Sequence, residues 1–328
     1  MDSLDLEVLG TLRAWQSSGR NCWLVTVVES FGSSPRPPGA MLALRADGLA
    51  VGSVSGGCIE DDLVTRACAG RLSTERAERL DYGATREEAM RFGLPCGGAM
   101  RLLVEPVKPE AAWVAQVLAA ISRHRLLRRS LNIDTLQVTL GDASPSDRLQ
   151  FDGQVLNTVH GPRWRLLIIG AGQTSSYLAR MALALDYRVV VCDPREEMRA
   201  TWPVPDTLLL SDMPDDAVLA QEVDSRTAIV ALTHDPKLDD MALLEALKSP
   251  AFYVGALGSK ANNDKRRARL ALFDLSAGEI ARLHGPVGLA IGSRTPPEIA
   301  VAILAELISV RHLMSGSSVS GPLQELCA

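Results

Sequence analysis

With 328 residues the chain is too long for one ordinary hydrophobic core, so two domains are the default. A hydrophobic fraction of 47% and a charged fraction of 22% are globular values, and a net charge of −5 excludes broad binding of a nucleic-acid backbone as the main activity. No apolar run reaches the roughly 18 residues of a membrane span, and Met1-Asp2-Ser3-Leu4-Asp5 has neither the basic nor the apolar region of a signal peptide, so a cytoplasmic protein with no membrane and no nucleic-acid partner is expected.

The first predicted element is an amphipathic helix, because Leu4, Val8, Leu12 and Trp15 recur at helical spacing. Trp23 to Glu29 is rich in Val and Thr and reads as a strand, and Cys22 beside it, like Cys192 in a later strand-like stretch, is expected to be a small core residue. Gly32-Ser33-Ser34-Pro35-Arg36-Pro37-Pro38-Gly39 cannot be regular structure. Arg36 in this loop is either a clamp for an anion or an ordinary exposed arginine. Residues 40–44 and 49–53 form a hairpin turning through Asp47-Gly48.

Two cysteines then appear in glycine-rich turns. In Ser55-Gly56-Gly57-Cys58-Ile59-Glu60 the glycines let a ligand approach the backbone, and Cys58 opens a helix that runs through Leu63 and Ala67. Backbone N–H groups and the helix dipole stabilise a thiolate there. Cys68 is expected to pack on that helix. Thr85 with Glu88 caps a short helix that ends in Gly93-Leu94-Pro95-Cys96-Gly97-Gly98, a turn with no evident packing duty. Each thiol is a soft ligand or nucleophile, or else a buried thiol near a tight turn. None of the six cysteines forms a CxxC pair, which argues against a structural zinc site.

Residues 101–105 read as a strand, 111–127 as a helix, and 131–157 as a small β excursion with turns at Gly141-Asp142 and Asp152-Gly153. A boundary is expected near Gly161-Pro162, giving an N-terminal domain over 1–160, a second over 161–315, and a mobile tail over 316–328. The second half alternates apolar strands (165–169, 188–192, 207–210, 228–232, 252–255) with helices, which demands right-handed crossovers and a parallel sheet. The expected class is therefore α/β, an N-terminal α+β domain followed by a Rossmann-like doubly wound domain. The last helix starts at Thr295, with Pro296 in its first position and Glu298 completing a capping box.

Gly170-Ala171-Gly172-Gln173-Thr174-Ser175 resembles a dinucleotide fingerprint with Ser175 replacing the third glycine, and Asp193 ends the next strand where an acid would meet a ribose. The alternative is the same scaffold with an empty or repurposed crevice. Thr233-His234-Asp235 and Gly258-Ser259-Lys260 follow later strands, at the edge where open parallel sheets bind ligands. Lys260, Arg266 and Arg267 either neutralise phosphate or form a solvated helix face, His234 is a base or a structural residue, and Asp235 is a helix cap on the bland reading.

With these motifs, together with 253–260 (Tyr-Val-Gly-Ala-Leu-Gly-Ser-Lys) and Gly285-Pro286-Val287-Gly288-Leu289, the chain resembles the XdhC/CoxI accessory proteins of molybdenum hydroxylases over about residues 5–312. The resemblance implies a homodimeric chaperone of purine catabolism whose cargo is the molybdenum cofactor (molybdopterin). It implies assistance in sulfuration by a cysteine desulfurase-like partner and delivery to an apo molybdenum hydroxylase such as xanthine dehydrogenase. Cys96 and Cys58 would protect or ligate the metal end of the cargo. Arg36, Ser55, Gly56, Gly57, Gly97 and Gly98 would hold its polar parts. Gly170, Gly172, Asp193, His234 and Lys260 would line a crevice for the pterin or a nucleotide. Soft thiolates suit the dithiolene-bound metal, and glycine N–H groups, a helix N-terminus and Arg suit the phosphate.

Two other readings remain open. An NAD(P)-dependent oxidoreductase would use Asp193 for ribose and His234 as acid–base catalyst, but leaves the cysteine turns idle. A sulfur-transfer enzyme would carry a persulfide on Cys96.

Overall fold

The computed structural model describes residues 1, 3–32, 36–83, 85–94 and 98–314. The chain divides into two compact units, Met1–Pro162 and Arg163–Ala328. The tail expected over 316–328 lies outside the described residues.

In the first unit, α1 (Ser3–Ser17) buries Val8, Leu9 and Leu12, the stripe its spacing announces. A five-stranded antiparallel sheet follows, built from β1 (Cys22–Phe31), β2 (Met41–Arg45), β3 (Ala50–Gly52), β4 (Glu78–Tyr82) and β5 (Ala99–Pro106), in the order β3-β2-β1-β5-β4. Between its strands run α2 (Cys58–Cys68) and α3 (Arg86–Arg91). The inward face of α2, Ile59, Leu63 and Ala67, packs with Val25, Leu42, Leu102 and Leu94 in one cluster. Burying each such side chain contributes about 1.5–3 kcal/mol.

The helix expected over 111–127 is shorter: α4 spans Trp113–Ser122, and residues 127–132 instead form the strand β6 (Leu127–Asn132). The inward positions of β6 are Leu127, Arg129 and Leu131. An arginine conceals the alternation from a hydrophobic reading. Arg129 is buried because it pairs with Glu105 of β5 and stacks 3.8 Å above the Trp113 ring. A second antiparallel sheet, in the order β7-β6-β9-β8, is completed by β7 (Val138–Asp142), β8 (Gln150–Phe151) and β9 (Val155–His160). The turn expected at Gly141-Asp142 lies inside β7. The chain reverses after β6 instead, where Asn132 Oδ1 accepts the N–H groups of Asp134 and Thr135. The turn at Asp152-Gly153 stands, held by Asp152 accepting from Gln154 and Val155.

The second unit carries β10 (Arg165–Ile169), α5 (Gln173–Ala184), β11 (Arg188–Cys192), α6 (Glu196–Ala200), β12 (Leu208–Leu210), α7 (Pro214–Ala220), β13 (Thr227–Ala231), α8 (Pro236–Ala246), β14 (Tyr253–Ala256), α9 (Lys260–Leu270), α10 (Ala277–Ala281), β15 (Leu283–His284) and α11 (Pro296–Met314). Its six-stranded sheet is parallel throughout, in the order β12-β11-β10-β13-β14-β15. This is the Rossmann-like doubly wound arrangement, with the strand order reversing between β10 and β13. Every residue of β10 and β13 is buried because both faces are covered. Leu166 and Ile168 pack with Leu178 of α5 and Ile303 of α11, and Leu167 and Ile169 pack with Leu243 of α8. A crevice therefore opens at the carboxyl ends of β10 and β13.

Candidate functional site

In the first unit the candidate site is the turn before α2. Gly56 adopts φ +90, a left-handed conformation that favours glycine. The turn is organised by Glu60, on the first turn of α2. Its carboxylate accepts the N–H groups of Val54, Ser55, Gly56 and Gly57 at 2.8–2.9 Å, and the hydroxyls of Ser53 and Ser55. Burial pushes this carboxyl up, but the hydrogen bonds from Ser55, Gly56 and Gly57 outweigh it and hold it at about 2. The donors that the sequence offers to an outside anion are thus turned onto a built-in one. Glu60 was legible as an acid in the first turn of α2; its role in gathering the loop was not, because nothing in the pattern shows that the loop folds back.

The order imposed by Glu60 leaves Cys58, the first residue of α2, exposed. Cys68, expected to pack, is exposed at the other end of the helix. Cys22 and Cys192 are buried, as their strand positions imply, and burial pushes their thiols up to about 11 and about 12. Cys96 and Gly97 lie outside the described residues. On either side of them Leu94 and Gly98 are buried, and Leu94 belongs to the cluster that also takes Ile59 and Leu63 of α2. Arg36 is half-buried. Among the described residues no group of three or more His, Cys, Asp or Glu side chains could hold a metal ion.

In the second unit Gly170 has φ +105, and a Cβ there would lie 2.8 Å from the Thr233 Cα, so close approach of β10 to β13 requires glycine. Gly172 is the residue before α5 and, with Gln173 and Thr174, lines a cavity of about 400 Å³. Asp193, at the end of β11, is fully buried. Its oxygens accept Ala171 N–H at 2.8 Å and both Nε and Nη2 of Arg195 at 2.8 Å. Burial alone would raise this carboxyl, and the Arg195 and Ala171 bonds lower it.

His234 is exposed with φ +62, an uncommon backbone for a residue other than glycine, and lines the same cavity. The strand end before it is fixed by Asp239, whose Oδ1 accepts Thr233 N–H at 3.1 Å and Thr233 Oγ1–H at 2.7 Å, and whose Oδ2 accepts Arg266 Nη2–H at 3.0 Å. Burial pushes the Asp239 carboxyl up against the pull of Thr233 and Arg266. Asp235 caps α8 by accepting Lys237 N–H. Lys260 is the exposed first residue of α9, after the Ser259 cap. Arg266 is not on a solvated face: it is 5% exposed and bonded to Asp239, Asp240, Asn263 and the Leu257 carbonyl. Arg267 donates to the carbonyls of Leu283 and Gly285. Neither arginine is a free phosphate clamp.

Comparison with known proteins agrees with this architecture. The XdhC Rossmann domain model matches residues 166–307, and the XdhC and CoxI family model matches residues 15–83; together they cover more than half of the chain. The molybdenum cofactor insertion chaperone PaoD of Escherichia coli is 29% identical over 306 residues, spanning 90% of this chain and 85% of PaoD. YqeB of Escherichia coli, an uncharacterized protein, is 28% identical over 302 residues, 91% of this chain but only 45% of YqeB, so the chain spans less than half the length of that relative. A solved Bacillus halodurans structure described as a xanthine dehydrogenase superposes with a TM-score of 0.72 at 25% identity, covering 99% of this chain and 100% of that one. Cys58 thus falls within the segment matched by one model and Gly170 and Gly172 within that matched by the other, and the chain belongs to the XdhC and CoxI family.

Proposed function

We propose that this chain is a molybdenum cofactor chaperone for a molybdenum hydroxylase such as xanthine dehydrogenase. It binds the cofactor, shields it, assists its sulfuration by a cysteine desulfurase-like partner, and passes it to the apo-hydroxylase. On this reading it acts in the cytoplasm as a homodimer, in purine catabolism. The observation that carries the reading is the exposed thiol of Cys58, presented at the first residue of α2 by a turn that Glu60 holds in place. A carrier must release its cargo, and a lone thiolate from this turn, joined by Cys96, leaves the metal end unsaturated. The relation to PaoD, a molybdenum cofactor insertion chaperone by name, supports the same reading.

Within this proposal Cys58 and Cys96 meet the metal end of the cargo, and Arg36, Gly97 and Gly98 its polar parts, while Ser55, whose N–H and hydroxyl are held by Glu60, shapes the turn instead. Gly56 and Gly57 contribute openness, since a Cβ at either would meet nothing within 4 Å. Gly170, Gly172, His234 and Lys260 belong to the pterin or nucleotide crevice.

The test is purification from a host that makes the cofactor, followed by oxidation and fluorescence detection of released pterin. The chaperone reading expects pterin in near-stoichiometric amount, and activation of an apo-hydroxylase by the loaded protein. Tight nicotinamide binding with hydride transfer, and no pterin, would establish the oxidoreductase reading instead.

A further inference from the structure

The carboxyl edge of the parallel sheet is open on one side of the switch point and closed on the other. In dinucleotide-binding sheets the acid that ends the second strand accepts ribose hydroxyls. Here that acid, Asp193, is 0% exposed and engaged by Ala171 and Arg195, while Arg199 Nη1 donates to the Asp193 carbonyl at 2.8 Å. A ribose could reach the carboxylate only by displacing an ion pair.

The open space lies on the β13–β14 side. The cavity of about 400 Å³ adjoins a second of about 210 Å³, and the two share His234, Leu257 and Gly258. A volume of this size suits a small ligand. Leu232, Leu257 and Ile299 supply an apolar lining, fitting a flat ring. Arg294 lines the larger cavity and Lys265 the smaller, where the other two cations, Arg266 and Arg269, are already paired with Asp239 and Asp240. Among the described residues neither Arg294 nor Lys265 has an ion-pair partner, and no carboxylate lines the larger cavity. The single acid lining the smaller one, Asp239, is already bound by Thr233 and Arg266. A space with apolar side chains and two unneutralised cations, Arg294 and Lys265, in its lining selects a flat, anionic ligand.

We propose that this half-crevice binds a phosphate monoester carried on a planar heterocycle, with Arg294 and Lys265 as the anion contacts, and that the Asp193–Arg195 pair denies it to dinucleotides. The site stands on its own geometry; only the choice of pterin as the heterocycle rests on the chaperone reading. The same chemistry is offered by the pterin cargo and by a free mononucleotide.

Calorimetric titration of the full chain, freed of bound pterin, separates these. The probes are a 6-alkylpterin phosphate monoester, cytidine 5′-monophosphate and NADH. At least one monophosphate binds, NADH binds at least about tenfold more weakly, and Arg294→Ala and Lys265→Ala each weaken monophosphate binding about tenfold without moving the melting temperature. Binding confined to the pterin phosphate identifies the cargo as the source, and binding of cytidine monophosphate identifies a free nucleotide. NADH binding as tight as either monophosphate, no binding by either monophosphate, or unchanged binding in both variants overturns the inference. Failure of the chaperone reading is read separately, as absence of pterin from wild-type protein made in the cofactor-producing host.

Discussion

Glu60 shows how one residue sets the geometry of the proposed thiol site. Its folded carboxyl titrates at about 2 against an ordinary value of 4.5. Its contribution to stability is therefore complete above about pH 4.5 and is lost as pH falls through about 2. Because the group is half-open to solvent, that contribution is discounted to about 1–2 kcal/mol. Glu60→Gln is expected to lower stability by about that amount at pH 7, with the difference from wild type shrinking toward pH 2. Urea unfolding across that range measures it, and an equal deficit at every pH would contradict the account. Gly170→Ala tests the other close approach: a Cβ 2.8 Å from the Thr233 backbone at φ +105 is expected to cost about 2–4 kcal/mol, read as a lowered urea midpoint. The roles of the buried Cys22 and Cys192 were legible, because a cysteine within an apolar strand has few other uses; the packing of Gly170 against Thr233 was not, because its turn reads as a ligand crevice. Nor were the roles of Arg129 and Asp239, because each is buried on the strength of a partner, Glu105 or Arg266, more than twenty residues away.

At the scale of elements, local signals found five of the six strands of the second unit within a residue or two, and missed the two-residue β15. The start of α11 was written in Thr295, Pro296 and Glu298, and Glu298 does accept Thr295 N–H at 2.9 Å. What secures α11 to the sheet was not written locally. Glu306, in its middle, accepts the Tyr253 hydroxyl of β14 and the Gly288 N–H, and bonds His284 of β15 at 2.8 Å. Burial pushes the Glu306 carboxyl up, and His284 and Tyr253 pull it below its ordinary value. Glu306→Ala leaves the Tyr253 hydroxyl and the Gly288 N–H without this acceptor and is expected to cost about 3 kcal/mol. Thermal unfolding of the variant measures it, and a shift under 1 °C would contradict the anchoring role. The misread stretch over 111–132 has the same origin: α4 is helical by its own apolar stripe, but β6 is a strand only through pairing with β7 and β9.

For the whole molecule, each unit closes its own cores. The clusters around Leu167 and Ile168 draw only on the second unit, and those around Val25 and Leu24 only on the first. A fragment spanning 163–314 is therefore expected to fold alone and to unfold cooperatively in urea; a fragment without a cooperative transition would contradict this. Alternating strands and helices made the second fold legible, while the sequence left the closed Asp193 side of its crevice invisible. An acid at the end of a strand reads the same whether it faces a ribose or an arginine two residues on.

The proposed chaperone role turns on whether the Cys58 thiol faces its cargo. The decisive measurement is the molar ratio of released pterin to protein for wild type and Cys58→Ala, both purified from a cofactor-producing host, with melting temperatures determined in parallel. At least a tenfold fall in that ratio is expected for the variant, at an unchanged melting temperature. Equal pterin content in the two proteins would contradict it.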